Sequence, residues 1–104
     1  MQPQFIPPGD GFDSVLLCPS CNSPHLHHWR VEVFERAQDE VKGVHVSVED
    51  GKALIDTSQT GNPSARRHGM AIHFACEVCS GMSVLTLAQH KGNTFVDFMP
   101  AEGS

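Results

Sequence analysis

A mostly β fold, with an antiparallel sheet inserted between two cysteine turns, is what this sequence predicts. Three observations carry it. Several stretches alternate apolar and polar residues at period two, the pattern of half-buried strands. Turn dipeptides such as Asp50-Gly51 punctuate them. Two C-x-x-C motifs, Cys18/Cys21 and Cys76/Cys79, bracket the strand-rich middle.

Taken in order, residues 1–14 hold three prolines and two glycines and read as a flexible arm that forms no packed element. The domain proper is expected over 15–100, and 101–104 reads as a flexible tail. In "HLHHWRVEVFER" (25–36), Trp29, Val31 and Val33 are expected on one face, with His28, Arg30 and Glu32 on the other. "RAQDEVKG" (36–43) is a polar connection to "GVHVSVED" (43–50), which places Val44, Val46 and Val48 together. "GKALID" (51–56) follows a hairpin dipeptide and suits a short edge strand. "TSQTGNPSARRHG" (57–69) is a loop by composition. "MAIHFAC" (70–76) alternates again. "MSVLTLAQH" (82–90) and "TFVDFM" (94–99) flank a turn at Gly92-Asn93. A helix over 82–91 is the competing reading, and the Val/Thr content favours strand.

The 104 residues suit one domain with a modest core, and hydrophobic residues are only 39%. Cross-links matter most in such chains. The net charge of −5 argues against a protein that lives by non-specific phosphate binding, although a local basic patch stays open. No stretch has the roughly 20 apolar residues of a membrane span. The N-terminal residues lack the basic start and apolar run of a secretory signal, so a cytoplasmic location is expected, with reduced thiols.

Two residues between cysteines let the chain turn back so that both sulfurs reach one ion. Two such turns make a closed four-cysteine site of Cys18, Cys21, Cys76 and Cys79, expected to hold one zinc per chain. Soft thiolates also suit iron. A disulfide or redox role is the other alternative, but no single C-x-x-C in a βαβ context is present. The turns are separated by 54 residues, more than a short finger needs, and closure entropy grows slowly with such length. With a Cys-Pro-x-Cys first turn and strands after each turn, residues 18–99 resemble a zinc ribbon. "NPSARRHGMAIHF" and "LAQHKGNTFV" look similar to small zinc-ribbon proteins of bacteria and their phages, a resemblance that implies no activity. Ribbon turns often place Gly after the second Cys. Here Asn22 and Ser80 stand there, with Gly81 one later, which predicts a differently shaped second turn.

Seven histidines, His25, His27, His28, His45, His68, His73 and His90, raise the alternative of a metal-dependent enzyme with a second site. No H-E-x-x-H is present, and the deaminase signature is incomplete. Arg66, Arg67 and His68 concentrate positive charge in the loop, and Arg30, His90 and Lys91 can join them to contact an anion or partner. Solvated arginines paired with Glu32 or Glu35 are the plainer reading. Trp29, Phe34, Phe74, Phe95 and Phe98 are expected in the core. These residues predict a non-enzymatic module that docks a protein partner through its β surface and the 57–69 loop, or dimerises by an edge strand. Nucleic-acid binding through the basic patch is the alternative.

Overall fold

The computed structural model describes residues 2–6 and 14–101. All of their regular structure is β, in two antiparallel sheets. Strands β1 (Phe5–Ile6) and β2 (Val15–Leu16) pair as a small ribbon. The main sheet has six strands: β3 (Leu26–Glu35), β4 (Val44–Glu49), β5 (Lys52–Asp56), β6 (Gly69–Cys76), β7 (Met82–His90) and β8 (Asn93–Pro100). Their spatial order is β5-β4-β3-β6-β7-β8. The strands between the cysteine turns and the hairpin after them are therefore one continuous sheet. The expected N-terminal arm contributes Phe5 and Ile6 to a strand, because Val15 and Leu16 supply the pairing groups. Residues 1 and 7–13 of that arm, and 102–104 of the tail, lie outside the described residues.

Hairpin chemistry sets the local links. Asp50 and Gly51 both have positive φ (52° and 73°), as do Lys91 and Gly92 (50° and 80°). Two successive residues of this kind give the turn whose twist matches the flanking strands. The second turn is thus centred on Lys91-Gly92, one residue before the expected Gly92-Asn93. Residues 82–90 are strand.

Side-chain alternation differs from the expected pattern at β3. The register against β6 slips between His28 and Arg30, so Trp29 is the extra residue of a bulge. His28 pairs with Phe74, and Arg30 pairs with His73. The slip sends His28 to the Val31 and Val33 face. Trp29 moves to the Arg30 and Glu32 face, where its ring lies 5.6 Å from that of His73.

Burial is uneven between the two faces. The face of Glu32 also carries Phe34, His45, Ser47 and Ala71, all four of them buried. Phe34 is fully buried and stacks on His45, with centroids 4.5 Å apart and planes at 8°. Segment 57–68 crosses here from edge strand β5 back to the centre, and Gly61 sits over the Phe34 ring. On the opposite face, Phe98 is buried against Phe74 in an edge-to-face contact of 5.7 Å. Val44, Val48, Ile55 and Val96 of that face remain exposed. Of the aromatic residues expected in the core, Phe34 and Phe98 are buried and Phe74 is half-buried, while Trp29 and Phe95 are exposed. The bulge lifts Trp29 out of the valine row, and Phe95 stands on edge strand β8 with its ring 6.3 Å from that of His90.

The crossing segment is held by its own polar residues. Ser64 Oγ donates to the Gln89 carbonyl at 2.7 Å and accepts from the Arg67 N–H at 3.0 Å. Asn62 Nδ2 donates to Gln59 Oε1 and to the Arg67 carbonyl, both at 2.9 Å. The Arg36 guanidinium donates to the carbonyls of Ser64, Glu40 and Arg67. Gly69 packs so closely under this segment that an added methyl group would overlap Asn62 Oδ1 and press on the Pro63 ring. Gly69→Ala is expected to lower stability by about 1–3 kcal/mol, the usual cost of overpacking. Urea unfolding of the two proteins measures it, and an unchanged midpoint would contradict this packing.

Candidate metal centre

Each C-x-x-C sits on a tight turn of the same construction. In the first, the Asn22 N–H donates to the Cys18 carbonyl at 2.9 Å and the Cys18 N–H donates to the Ser23 carbonyl at 2.8 Å. In the second, the Ser80 N–H donates to the Cys76 carbonyl at 3.2 Å and the Cys76 N–H donates to the Gly81 carbonyl at 3.0 Å. Asn22 and Ser80 occupy equivalent positions with φ of 62° and 60°. The expected difference between the turns is absent, because Ser80 itself adopts the left-handed conformation that glycine usually supplies.

The two turns face each other. Cys18 Sγ lies 3.8 Å from Cys79 Sγ, and Cys21 Sγ lies 3.6 Å from Cys76 Sγ. All four sulfurs fall within 4.8 Å of one another, so the quartet can hold a metal ion. The distances suit one. A tetrahedral ion with metal–sulfur bonds near 2.3 Å requires sulfurs about 3.8 Å apart. Each turn contributes one buried cysteine, Cys18 or Cys76, and one exposed cysteine, Cys21 or Cys79. The Cys79 N–H, and then that of Val78, donate to the Cys76 sulfur and hold its thiol down at about 6 against the opposing effect of burial. The Ser23 N–H acts likewise on Cys21, but burial and hydrogen bonds to the other three sulfurs outweigh it and push that thiol up to about 12. Four thiolates cannot crowd together uncompensated, and a divalent cation supplies the compensation.

A second polar cluster occupies the middle of the sheet. Glu32 receives His73 Nε2 at 2.8 Å, His45 Nε2 at 2.9 Å and an Arg30 guanidinium N–H at 3.2 Å. The other nitrogen of His45 lies 3.0 Å from Asp56 Oδ1, and Arg30 also donates to Glu49 at 3.1 Å. Burial alone would raise the Glu32 carboxyl. Hydrogen bonds from His73, Arg30 and His45 outweigh it and hold the group below its ordinary 4.5. Asp56 is likewise lowered, by the Ser58 N–H and then by His45. The alternation of β3 marks Glu32 only as a surface acid. Nothing in the sequence places His45 and His73, 28 residues apart, on either side of it.

The other sequence-level candidates divide. Arg66, Arg67, His90 and Lys91 line one recess of about 80 Å³ together with Gln38. Arg30 is not among them. It belongs to the Glu32 cluster, and its strand position pairs it with His73 and Glu49. Arg66 lies 3.4 Å from Asp39, and Arg67 donates to Gln38 at 2.6 Å, so neither pairs with the expected Glu32 or Glu35. His68 accepts the Arg36 N–H at 3.1 Å. His27 pairs with Glu77 at 2.7 Å, tying β3 to the second cysteine turn. Among the described residues, the cysteine quartet is the one group placed to ligate a metal through three or more side chains. The residues missed from sequence, Arg36, Asn62 and Ser64, order the loop that carries Arg66 and Arg67. Only the Asn62-Pro63 dipeptide signals them.

Compared with protein-family models, curated proteins and solved structures, the chain matches none of them.

Two outcomes follow from this geometry. Ser80→Gly relieves a left-handed strain of about 1–2 kcal/mol, partly offset by the roughly 0.5–1 kcal/mol entropic cost of glycine. The metal-loaded variant is therefore expected to gain up to about 1 kcal/mol in chemical denaturation. The lowered Glu32 carboxyl binds a proton more weakly folded than unfolded. Its contribution is complete above its ordinary value and is lost as pH falls through the lower folded value. The stability difference between the protein and Glu32→Gln should therefore shrink as pH falls from above the ordinary 4.5 through the lower folded value. A difference that stays constant would show that the charge of Glu32 is not what the cluster needs.

Proposed function

We propose that the chain is a zinc ribbon, a small non-enzymatic module pinned by one structural zinc, that docks a protein partner through its β surface and the 57–69 loop. The observation that carries the metal reading is the spacing of the four sulfurs, 3.6 and 3.8 Å across the two turns. Four thiolates fill a tetrahedral shell and leave no open position for substrate water, which suits a structural site better than a catalytic one. Zinc is favoured over iron because it asks only for tetrahedral soft ligands and has no redox chemistry to protect. Among the histidines that suggested a second metal, His27 pairs with Glu77 and His68 accepts the Arg36 N–H. His45 and His73 turn their Nε2 atoms to Glu32.

Docking is read from the crossing loop. Its backbone is held by Arg36, Asn62 and Ser64, while Arg66 keeps an exposed side chain. A loop pre-ordered in this way spends less entropy when a partner binds. Nucleic-acid binding is the second reading, favoured by the recess that Arg66, Arg67, His90 and Lys91 share. It predicts a steep fall in affinity between low and moderate salt, whereas a protein partner held by apolar contacts would show a shallow one.

Native mass spectrometry of the protein purified without added metal is expected to show one zinc per chain. Two metals per chain, or none, would overturn the closed four-cysteine reading. Cys76→Ser should lose the zinc and its cooperative unfolding together, because binding and folding of small metal domains are coupled. A variant that keeps full zinc and a sharp transition would contradict it.

A further inference from the structure

Positive charge is scarce in this chain and unevenly placed. The net charge is −5, and Lys and Arg together number seven. Three of them, Arg66, Arg67 and Lys91, line one recess of about 80 Å³ together with His90 and Gln38. Segments distant in sequence build it, and their backbones are locked to one another. Ser64, only 3% exposed, donates its hydroxyl to the Gln89 carbonyl at 2.7 Å, and the Gln89 N–H donates to the His68 carbonyl at 3.0 Å. These bonds join the crossing segment to the β7-β8 hairpin. The Asp39 N–H donates to the Arg66 carbonyl at 3.0 Å, which brings Gln38 to the same place.

The cations here are poorly compensated. Asp39 meets Arg66 through Nε at 3.4 Å, with both side chains more than half exposed, a weak pairing. Arg67 donates to the neutral amide oxygen of Gln38 at 2.6 Å. Among the described residues, no carboxylate lies within ion-pair distance of Arg67 or Lys91. Arg30, by contrast, holds two carboxylates at once. Lys91 carries a further sign. It takes a φ of 50° at the first central position of a turn that favours Asn or Asp. Its side chain is exposed, so core packing does not require a lysine in that costly conformation.

We infer that this recess binds a single phosphate group in its dianionic form. The inference rests on the reading of the 57–69 loop as the docking element, and it names what that loop recognises. Guanidinium forks and an ammonium point charge are the groups that hold phosphate oxygens. The volume equals that of two or three waters, at about 30 Å³ each, which admits one tetrahedral oxyanion and no nucleobase. A polynucleotide repeats its charge at every nucleotide. It would meet the carboxylates of Asp39 and Glu40, which directly follow Gln38, so an isolated phosphate fits better than a strand. Free phosphate and a phosphate monoester share this chemistry.

The test is amide NMR of the full chain at pH 7.5, where a monoester with a second pKa of about 6 is dianionic. Inorganic phosphate and phosphoserine are titrated separately, beside an oligothymidylate with hydroxyl ends. Both phosphates are expected to saturate, with the largest shifts at residues 38, 66, 67, 90 and 91. The tighter of the two identifies the source. Lys91→Asn places a favoured residue in the turn, and Arg67→Gln leaves the backbone bonds to Asn62 and Ser64 in place. Each should keep its thermal midpoint and lose phosphate affinity about tenfold. Lys52→Gln, which removes the same charge from edge strand β5, should bind as the parent does. Absence of saturable binding would overturn the proposal, as would full affinity in both recess variants. An oligothymidylate that binds more tightly than either phosphate would overturn it in favour of a nucleic-acid strand. No partner protein is added, so failure here removes the phosphate site and leaves docking through the β surface standing.

Discussion

Four sulfurs packed around one point organise everything else in the chain. They join two turns separated by 54 residues, and they do so at the ends of the two central strands. Leu26, near the first turn, pairs with Cys76 of the second, and the Glu77 N–H donates to the His25 carbonyl at 3.0 Å. The register of β3 against β6 is thereby fixed where the sheet begins. A slip by one residue would send every side chain of β3 to the opposite face. The cluster therefore specifies side-chain placement over the whole sheet as well as closing a loop.

The bulge at Trp29 then modifies that register by one residue. Without it, Glu32 would pair with Met70 and stand on the apolar Met70 and Ile72 face of β6. With it, Glu32 meets His45, His73 and Arg30. A carboxylate buried alone is costly, whereas one that accepts three charge-assisted hydrogen bonds is tolerated. The same face accommodates Phe34 beneath the crossing loop, so the polar cluster and the loop protect one side of the sheet together.

Covering that side leaves the aliphatic side short of material. Among the described residues, Val44, Val48, Ile55 and Val96 of that side stay exposed. Leu17 and Pro19, by the small β1-β2 ribbon and the first cysteine turn, lie beside Phe98. This imbalance gives the molecule two distinct surfaces. One is a charged end where Arg66, Arg67, His90 and Lys91 converge, and the other is a flat apolar face.

The local elements are legible in the sequence because their causes are local. Period-two alternation marks the strands, Asp50-Gly51 marks a hairpin, and the spacing of the cysteines marks a ligand quartet. The strands, the hairpin and each cysteine pair depend on residues within a turn or a pleat of one another, and two such pairs suggest one quartet. An all-β chain with four cysteines poised for one metal can therefore be read from the order of residues. Which face of each strand is buried cannot, since alternation is symmetric between faces until a second layer breaks the symmetry. The order β5-β4-β3-β6-β7-β8 is equally hidden, because it requires a crossing that no dipeptide encodes. The bulge at Trp29 and the gathering of His45 and His73 on Glu32 depend on pairing with β6. Such pairing joins segments far apart in the chain, and for that reason neither is written in any short stretch of it.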